Sequence, residues 1–211
     1  MPGEFIPIAE ETGAILAIGR WVLERACRDL KAWDEMGLPN LSVAVNVSAR
    51  QVLHHALVNE VFEALQQNGF SPDRLELEIT ESMMMHDPAG AERALRSLKG
   101  LGVRLAVDDF GTGYSSLSLV RRFPFDTVKI DRSFVSGCPE DAESMAIVQS
   151  VATLARLLGL AVIAEGVETA PQRLAVAAAG CPFAQGYLFS RPVDVARVPE
   201  IARATLGASI R

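Results

Sequence analysis

The sequence predicts an α/β fold of the (β/α)8 TIM-like barrel type, with six βα units present in this chain. Three observations carry that prediction. Short apolar, β-branched runs alternate with helix-length amphipathic segments six times. The connections between them are short, which is the pattern of a parallel sheet. Each run also ends on an acid, an amide or a lysine: Asn46, Glu78, Asp108 with Asp109, Lys129, Glu165 and Gln185. A doubly wound sheet gathers its polar residues at the strands flanking its switch point. Six strand ends out of six point instead to the ring of strand C-termini at a barrel mouth.

Taken in order, 4–13 reads as a short helical entry. Ile15, Ile18, Val22, Ala26 and Leu30 recur at helical spacing and predict a helix over about 14–36, ended by Gly37-Leu38-Pro39-Asn40. The first strand is expected at 41–45 and a helix at about 55–67, stopped by Asn68-Gly69. Leu75-Glu76-Leu77-Glu78-Ile79-Thr80 alternates as a strand, and a helix at 89–101 closes on Gly102. A strand at 104–107 leads to a helix at 115–123, which Pro124 stops. The fourth strand is 127–130, and the helix 144–158 ends at Gly159 before a strand at 160–164. Pro171 suits the first turn of a helix at 171–179 and Gly180 its exit. A short strand at Phe183-Ala184 and a helix at 195–206 complete the chain.

No linker rich in Pro, Gly or Ser divides the 211 residues, so a single domain over 1–211 is expected. The net charge of −6 and pI near 5.2 argue against a protein that grips DNA through its backbone. A phosphate-bearing ligand would need metal ions to offset such acidic surroundings. Cys27, Cys138 and Cys181 are widely spaced with no CxxC pair and read as buried thiols in a reducing compartment. His54, His55 and His86 form no zinc pattern and read as solvent-facing. No apolar run reaches the roughly 18 residues that span a bilayer, and the N-terminus lacks the basic stretch and apolar core of a signal peptide. The expected location is the cytoplasm.

The stretch Asp108-Asp109-Phe110-Gly111-Thr112-Gly113-Tyr114-Ser115-Ser116-Leu117 places two adjacent carboxylates where a strand meets a Gly-rich loop. Adjacent acids repel unless a cation bridges them; a solvated turn is the plain alternative. The other strand ends favour the cation. Glu78, Asp108, Asp109 and Glu165, with amides and no Cys or His, suit Mg2+ or Mn2+ rather than zinc. Four carboxylates could hold two ions with Asp108 as a bridge, a recurrent device for phosphodiester hydrolysis. Lys129 either holds the attacking water and neutralises charge in the transition state or forms a salt bridge to Asp108 or Glu165. Asp109-Phe110-Gly111 matches the kinase metal tripeptide, but no phosphate loop or HRD-type loop precedes it. A receiver domain would place its acid pair after the first strand of a shorter chain.

At this point the residues resemble a known family. Gly3-Glu4-Phe5-Ile6-Pro7, Val45-Asn46-Val47-Ser48, Glu76-Leu77-Glu78-Ile79-Thr80-Glu81-Ser82, the Asp108 stretch, Lys129-Ile130-Asp131, Ala164-Glu165-Gly166-Val167-Glu168-Thr169 and Gln185-Gly186-Tyr187-Leu188-Phe189-Ser190 resemble the EAL domain, in order and over nearly the whole chain. The resemblance implies a phosphodiesterase that hydrolyses cyclic di-GMP to linear pGpG with two Mg2+ or Mn2+ ions. It assigns Asn46, Glu78 and Asp108 to the first metal and Asp108 with Asp109 to the second. Glu165 becomes a ligand there or the base for the water, which Lys129 and Gln185 contact. Glu81 matches the residue anchoring the loop that contains Phe110, Gly111, Thr112, Gly113, Tyr114, Ser115 and Ser116. In the family that loop couples the site to a dimer interface, so a homodimer is a possible partner state. An upstream sensory or cyclase-like domain in a longer parent is also expected.

The chain departs from the family pattern at one place. The Glu-Ala-Leu motif of an early strand, whose Glu is a metal ligand, and the nearby substrate Arg are not found ahead of Gly3-Glu4-Phe5. Six βα units and two missing strands would make the eight of the barrel. Such a chain leaves two sheet edges open and one metal without a carboxylate. A second expectation therefore stands beside the enzyme: a catalytically inactive EAL module that binds cyclic di-GMP or a protein partner.

Overall fold

A computed structural model describes residues 2–81, 83, 87–111 and 117–208. Its centre is one six-stranded sheet: β1 (Val43–Asn46), β2 (Leu75–Thr80), β3 (Arg104–Phe110), β4 (Thr127–Ile130), β5 (Ala161–Ala164) and β6 (Phe183–Ala184). The strands lie side by side in chain order, and every neighbouring pair is parallel. A sheet wound in one direction throughout is a barrel topology, since a doubly wound sheet reverses its order. Val43 and Ala44 of β1 line the same cavity of about 270 Å³ as Ile163 and Phe183 of β5 and β6. The sheet therefore curls into a half-barrel, with β1 and β6 as its two edges.

Alternation decides which face is which. Leu75, Leu77 and Ile79 of β2 are fully buried under the helical layer, as are Leu105 and Val107 of β3 and Val128 and Ile130 of β4. One apolar cluster fills this outer layer and runs from Leu23 in α2 to Cys181 before β6. The inner face carries the polar residues and lies open at the edges, where Phe183 is 56% exposed.

The helices are α1 (Pro2–Thr12), α2 (Ala14–Glu35), α3 (Ala49–Val52), α4 (Leu57–Asn68), α5 (Pro88–Gly100), α6 (Leu117–Arg122), α7 (Arg132–Ser136), α8 (Ala142–Leu158), α9 (Ala170–Ala178) and α10 (Val198–Ala208). Gly69 and Gly159 end α4 and α8 in the left-handed conformation, as the sequence predicts. Thr169 and Gln172 close a capping box on α9 behind Pro171.

Several boundaries differ from expectation. β1 starts at Val43, because the Leu41 carbonyl is taken by Arg74 Nε at 2.7 Å. α3 separates β1 from α4 through a Ser48–Gln51 capping box, a signature present in the sequence. His54 and His55 therefore lie between two helices, and α4 begins at Leu57. Asp131 accepts from the Ser133 N–H and starts the short α7, which is too brief for periodicity to reveal. β3 continues to Phe110, past the expected stop at Val107, because Asp108 stays in register with Thr80. A 3-10 turn at Val195–Arg197 precedes the last helix.

Candidate active site at the strand ends

Residues two apart on a strand share a face, so Glu78, Asp108 and Lys129 meet above the inner surface of the sheet. Lys129 stands at the centre, 3% exposed. Its ammonium lies 2.7 Å from Glu78 Oε1, 3.3 Å from Asp108 Oδ1 and 2.5 Å from Glu165 Oε1. An ammonium has three N–H donors, and three carboxylates surround this one. Gln185 Nε2 donates to Glu165 Oε1 at 2.6 Å. One network thus joins the C-terminal ends of β2 to β6. Asn46 closes β1 directly beside Glu78 in the ladder, where the Val47 N–H donates to the Glu78 carbonyl at 2.9 Å. The ion pair that was one of two readings of Lys129 is present, to Glu165 and Asp108 and also to Glu78.

Asp108 and Asp109 reach the same end of β3 through a local irregularity. The register of β3 against β4 shifts between Val107 and Phe110, and Asp109 takes φ 54°. A bulge of this kind re-aims a side chain that would otherwise point to the opposite face. The Asp109 N–H donates to Asp108 Oδ1 at 3.0 Å. Burial, with Asp108 and Asp131 nearby, raises the Asp109 carboxyl above the usual aspartate range.

Burial is also the main cause that raises Glu78 and Glu165, and Lys129 only partly offsets it. For Lys129, burial pulls downward, but the hydrogen bonds and charges of Glu165 and Glu78 outweigh it and hold the ammonium well above the ordinary lysine value. It is a permanent cation at neutral pH.

Three carboxylates, Glu78, Asp108 and Glu165, therefore share one ammonium, and Asp109 adds a fourth acid next to Asp108 in the chain. Among the described residues, no three His, Cys, Asp or Glu side chains converge at metal-holding spacing. Glu78, Asp108 and Glu165 close on Lys129 instead. The uncompensated negative charge and the hard oxygen donors fit a divalent cation of the Mg2+ or Mn2+ type.

The EAL domain family profile matches residues 1–192. The chain belongs to the EAL domain family. An uncharacterized signaling protein of Caulobacter vibrioides is 50% identical over 194 residues, which is 92% of this chain and 24% of that protein. MucR of Pseudomonas aeruginosa, a bifunctional diguanylate cyclase/cyclic di-GMP phosphodiesterase, is 43% identical over 192 residues, 91% of this chain and 28% of MucR. The chain thus spans about a quarter of the length of these curated relatives. The structure of the PaMucR phosphodiesterase in complex with c-di-GMP superposes with a TM-score of 0.89 at 42% identity, covering 94% of this chain and 80% of that one.

Other EAL residues fall around the network. Glu81, one residue beyond β2, is 6% exposed. Phe110 is buried and pairs with Ile130. Gly111 has φ 101°, and a Cβ there would lie 3.0 Å from the Phe134 ring. The rest of the expected loop, Thr112, Gly113, Tyr114, Ser115 and Ser116, and also His86, lie outside the described residues. The letters Glu-Ala-Leu do occur at Glu63-Ala64-Leu65, but on α4. There Ala64 and Leu65 are buried, while Glu63 sits at the surface 3.8 Å from Arg20. That tripeptide is not a strand-end acid.

Period-two spacing puts Glu76 on the face of Glu78 but deeper in the barrel, and the structure supplies the partners that the sequence does not name. Below the Lys129 cluster, Glu76 Oε2 lies 3.1 Å from Arg104 Nε and accepts from Thr127 Oγ1 at 2.9 Å. Arg104 Nη2 donates to the same Thr127 oxygen at 3.1 Å. The same spacing relates Thr127 to Lys129.

Proposed function

We propose that this EAL domain hydrolyses cyclic di-GMP to linear pGpG with Mg2+ or Mn2+. The observation that carries the reading is the single hydrogen-bonded network of Glu78, Asp108, Lys129, Glu165 and Gln185 at the strand ends. Its support from outside the chain is the similarity to the PaMucR phosphodiesterase, whose structure is a c-di-GMP complex. In this reading Asn46, Glu78 and Asp108 hold one ion, and Asp108 with Asp109 a second. Bound divalent ions would lower the pKa of water and stabilise negative charge on the phosphoryl oxygens.

The chain's own groups have separate tasks. Lys129 and Gln185 both donate to Oε1 of Glu165. That leaves Oε2 to accept a proton from water. A carboxylate with a raised pKa is a stronger base than a solvated one, and burial supplies that rise at Glu165. Lys129 also places a fixed positive charge beside Asp108, where it would stabilise charge developing on the scissile phosphate.

We also propose a single domain over 1–211, a cytoplasmic location, a homodimer through the loop after Asp108, and further domains in a longer parent protein. No helix among the described residues is long and apolar enough to cross a membrane. Cys27, Cys138 and Cys181 are free and buried. No observation favours the catalytically inactive reading.

The test is direct. The purified chain is incubated with cyclic di-GMP and Mn2+, and the products are separated by chromatography. Metal-dependent pGpG formation that disappears with EDTA and in Glu165→Gln is the expected result. Tight binding of cyclic di-GMP without turnover would overturn the enzymatic reading in favour of a receptor.

A further inference from the structure

The inner face of the half-barrel carries two tiers of charge, and the comparisons with relatives assign a role to neither tier. The upper tier is Lys129 with Glu78, Asp108 and Glu165. The lower tier is Glu76, Arg104 and Thr127, one from each of β2, β3 and β4, and each touches the other two within 3.1 Å. Glu76 and Glu78 follow one another on the same face of β2, so their Cα atoms stand about 7 Å apart. Between the tiers β3 presents only Ala106, which is fully buried and in register with both Glu78 and Thr127. A methyl group at that position leaves side chains of β2 and β4 free to meet across β3.

Two acids this close would compete for the same cation. In this arrangement they do not, because each has its own. Thr127, fully buried, donates a hydrogen bond from its hydroxyl to Glu76 and accepts one from Arg104. The Glu76 carboxylate is thereby held below the Lys129 ammonium, with its charge balanced by Arg104. The donors of Lys129 remain with the three carboxylates above.

We propose that Arg104, with Thr127, is a positioning residue. By engaging Glu76 it reserves Lys129 for Glu78, Asp108 and Glu165. Arg104 touches no residue of the upper tier in this network and acts through Glu76. The inference deepens the proposed function, since it rests on Lys129 and Glu165 being the working groups of the site. Freed from Arg104, Glu76 becomes a fourth carboxylate within reach of a flexible lysine and draws it away from Glu165.

The test measures how strongly Lys129 and Glu165 are coupled. A double-mutant cycle of Lys129→Met and Glu165→Gln, read by urea unfolding in EDTA, gives that coupling without requiring turnover. It is run in three backgrounds: unchanged, Arg104→Met, and Arg104→Met with Glu76→Gln. Glutamine at 76 has no charge to satisfy but can still accept from Thr127. The coupling is expected to fall to less than roughly half in Arg104→Met and to return in the double background, as the pairwise competition requires. Coupling that is unchanged in Arg104→Met, or that Glu76→Gln does not restore, overturns the proposal. If Arg104→Met alone does not fold, the double background decides: full coupling there supports the proposal, and failure to fold there overturns it. The activity readout is separate. A chain that shows this pattern but never forms pGpG would sink the enzymatic reading and leave the positioning role standing.

Discussion

At the scale of single residues, Lys129 has the most consequence. It is a buried cation that three carboxylates hold in place, and they in turn depend on it. Removing one partner of a buried ion pair leaves uncompensated charge, typically at a cost of 3–5 kcal/mol. Lys129→Met is expected to lose about 3 kcal/mol in EDTA, measured by urea unfolding. Added Mn2+ should recover part of the loss, because the freed carboxylates gain a different counter-charge. Gly186 is a second single-residue constraint. It has φ 153°, and a Cβ there would meet Val167 backbone atoms at 2.2 to 2.8 Å. The same turn supports Gln185, whose carbonyl accepts from the Val167 N–H at 3.0 Å. Gly186→Ala should therefore cost about 3 kcal/mol in unfolding experiments, and it should lower pGpG formation by moving Gln185 away from Glu165. The candidate polar residues were legible from their place at strand ends. The bulge at Asp109 was not, since its register shift and φ of 54° come from the pairing of β3 with β4.

At the scale of elements, the sheet is fastened to its helices by a few contacts far apart in sequence. Arg74 grips Asp34 at the end of α2 with two bonds of 2.7 Å, and its Nε takes the Leu41 carbonyl. This clamp fixes the start of β1 against the start of β2. The hydrogen bond from Arg74 is the main cause that lowers the Asp34 carboxyl below its ordinary value. Asp34→Asn should cost about 1 kcal/mol at neutral pH, the scale of a two-bonded, partly exposed pair. The sign follows from linkage. A lowered carboxyl contributes stability above its unfolded value, near 3.8, and loses it as pH falls through the folded value. Melting curves of the two proteins should therefore converge in acid. Ser48→Ala should cost about 1 kcal/mol through the lost capping box of α3, read by urea unfolding. Helix caps such as Thr169 to Gln172 were readable because they are local. The Arg74 clamp was not, since nothing in either segment names the other.

At the scale of the whole molecule, the half-barrel has one apolar cluster that passes through all the helical layers from α2 to α9. A shared core makes elements unfold together. Both tryptophans, Trp21 and Trp33, lie in α2, so fluorescence reports only the first part of the chain. Far-UV circular dichroism reports all of it. The two signals should change at the same urea concentration, and separated midpoints would show that 1–211 is more than one cooperative unit. Among the described residues β1 and β6 are the outer strands of the sheet, and a strand edge left unpaired invites association.

The sequence by itself determined the parallel α/β class, the six strands and a polar residue at or near the C-terminal end of each. Those are consequences of periodicity and of turn chemistry, which act over a few neighbouring residues. It also carried the resemblance to the EAL family, which the match over 1–192 bears out. Only the tertiary structure decided how the ends are wired. It put Lys129 inside three carboxylates, placed a bulge in β3 at Asp109, and gave Glu76 a counter-charge of its own. The physical reason is that an ion pair across β2, β3 and β4 depends on register and curvature. Those are properties of strands packed together, and no single strand encodes them.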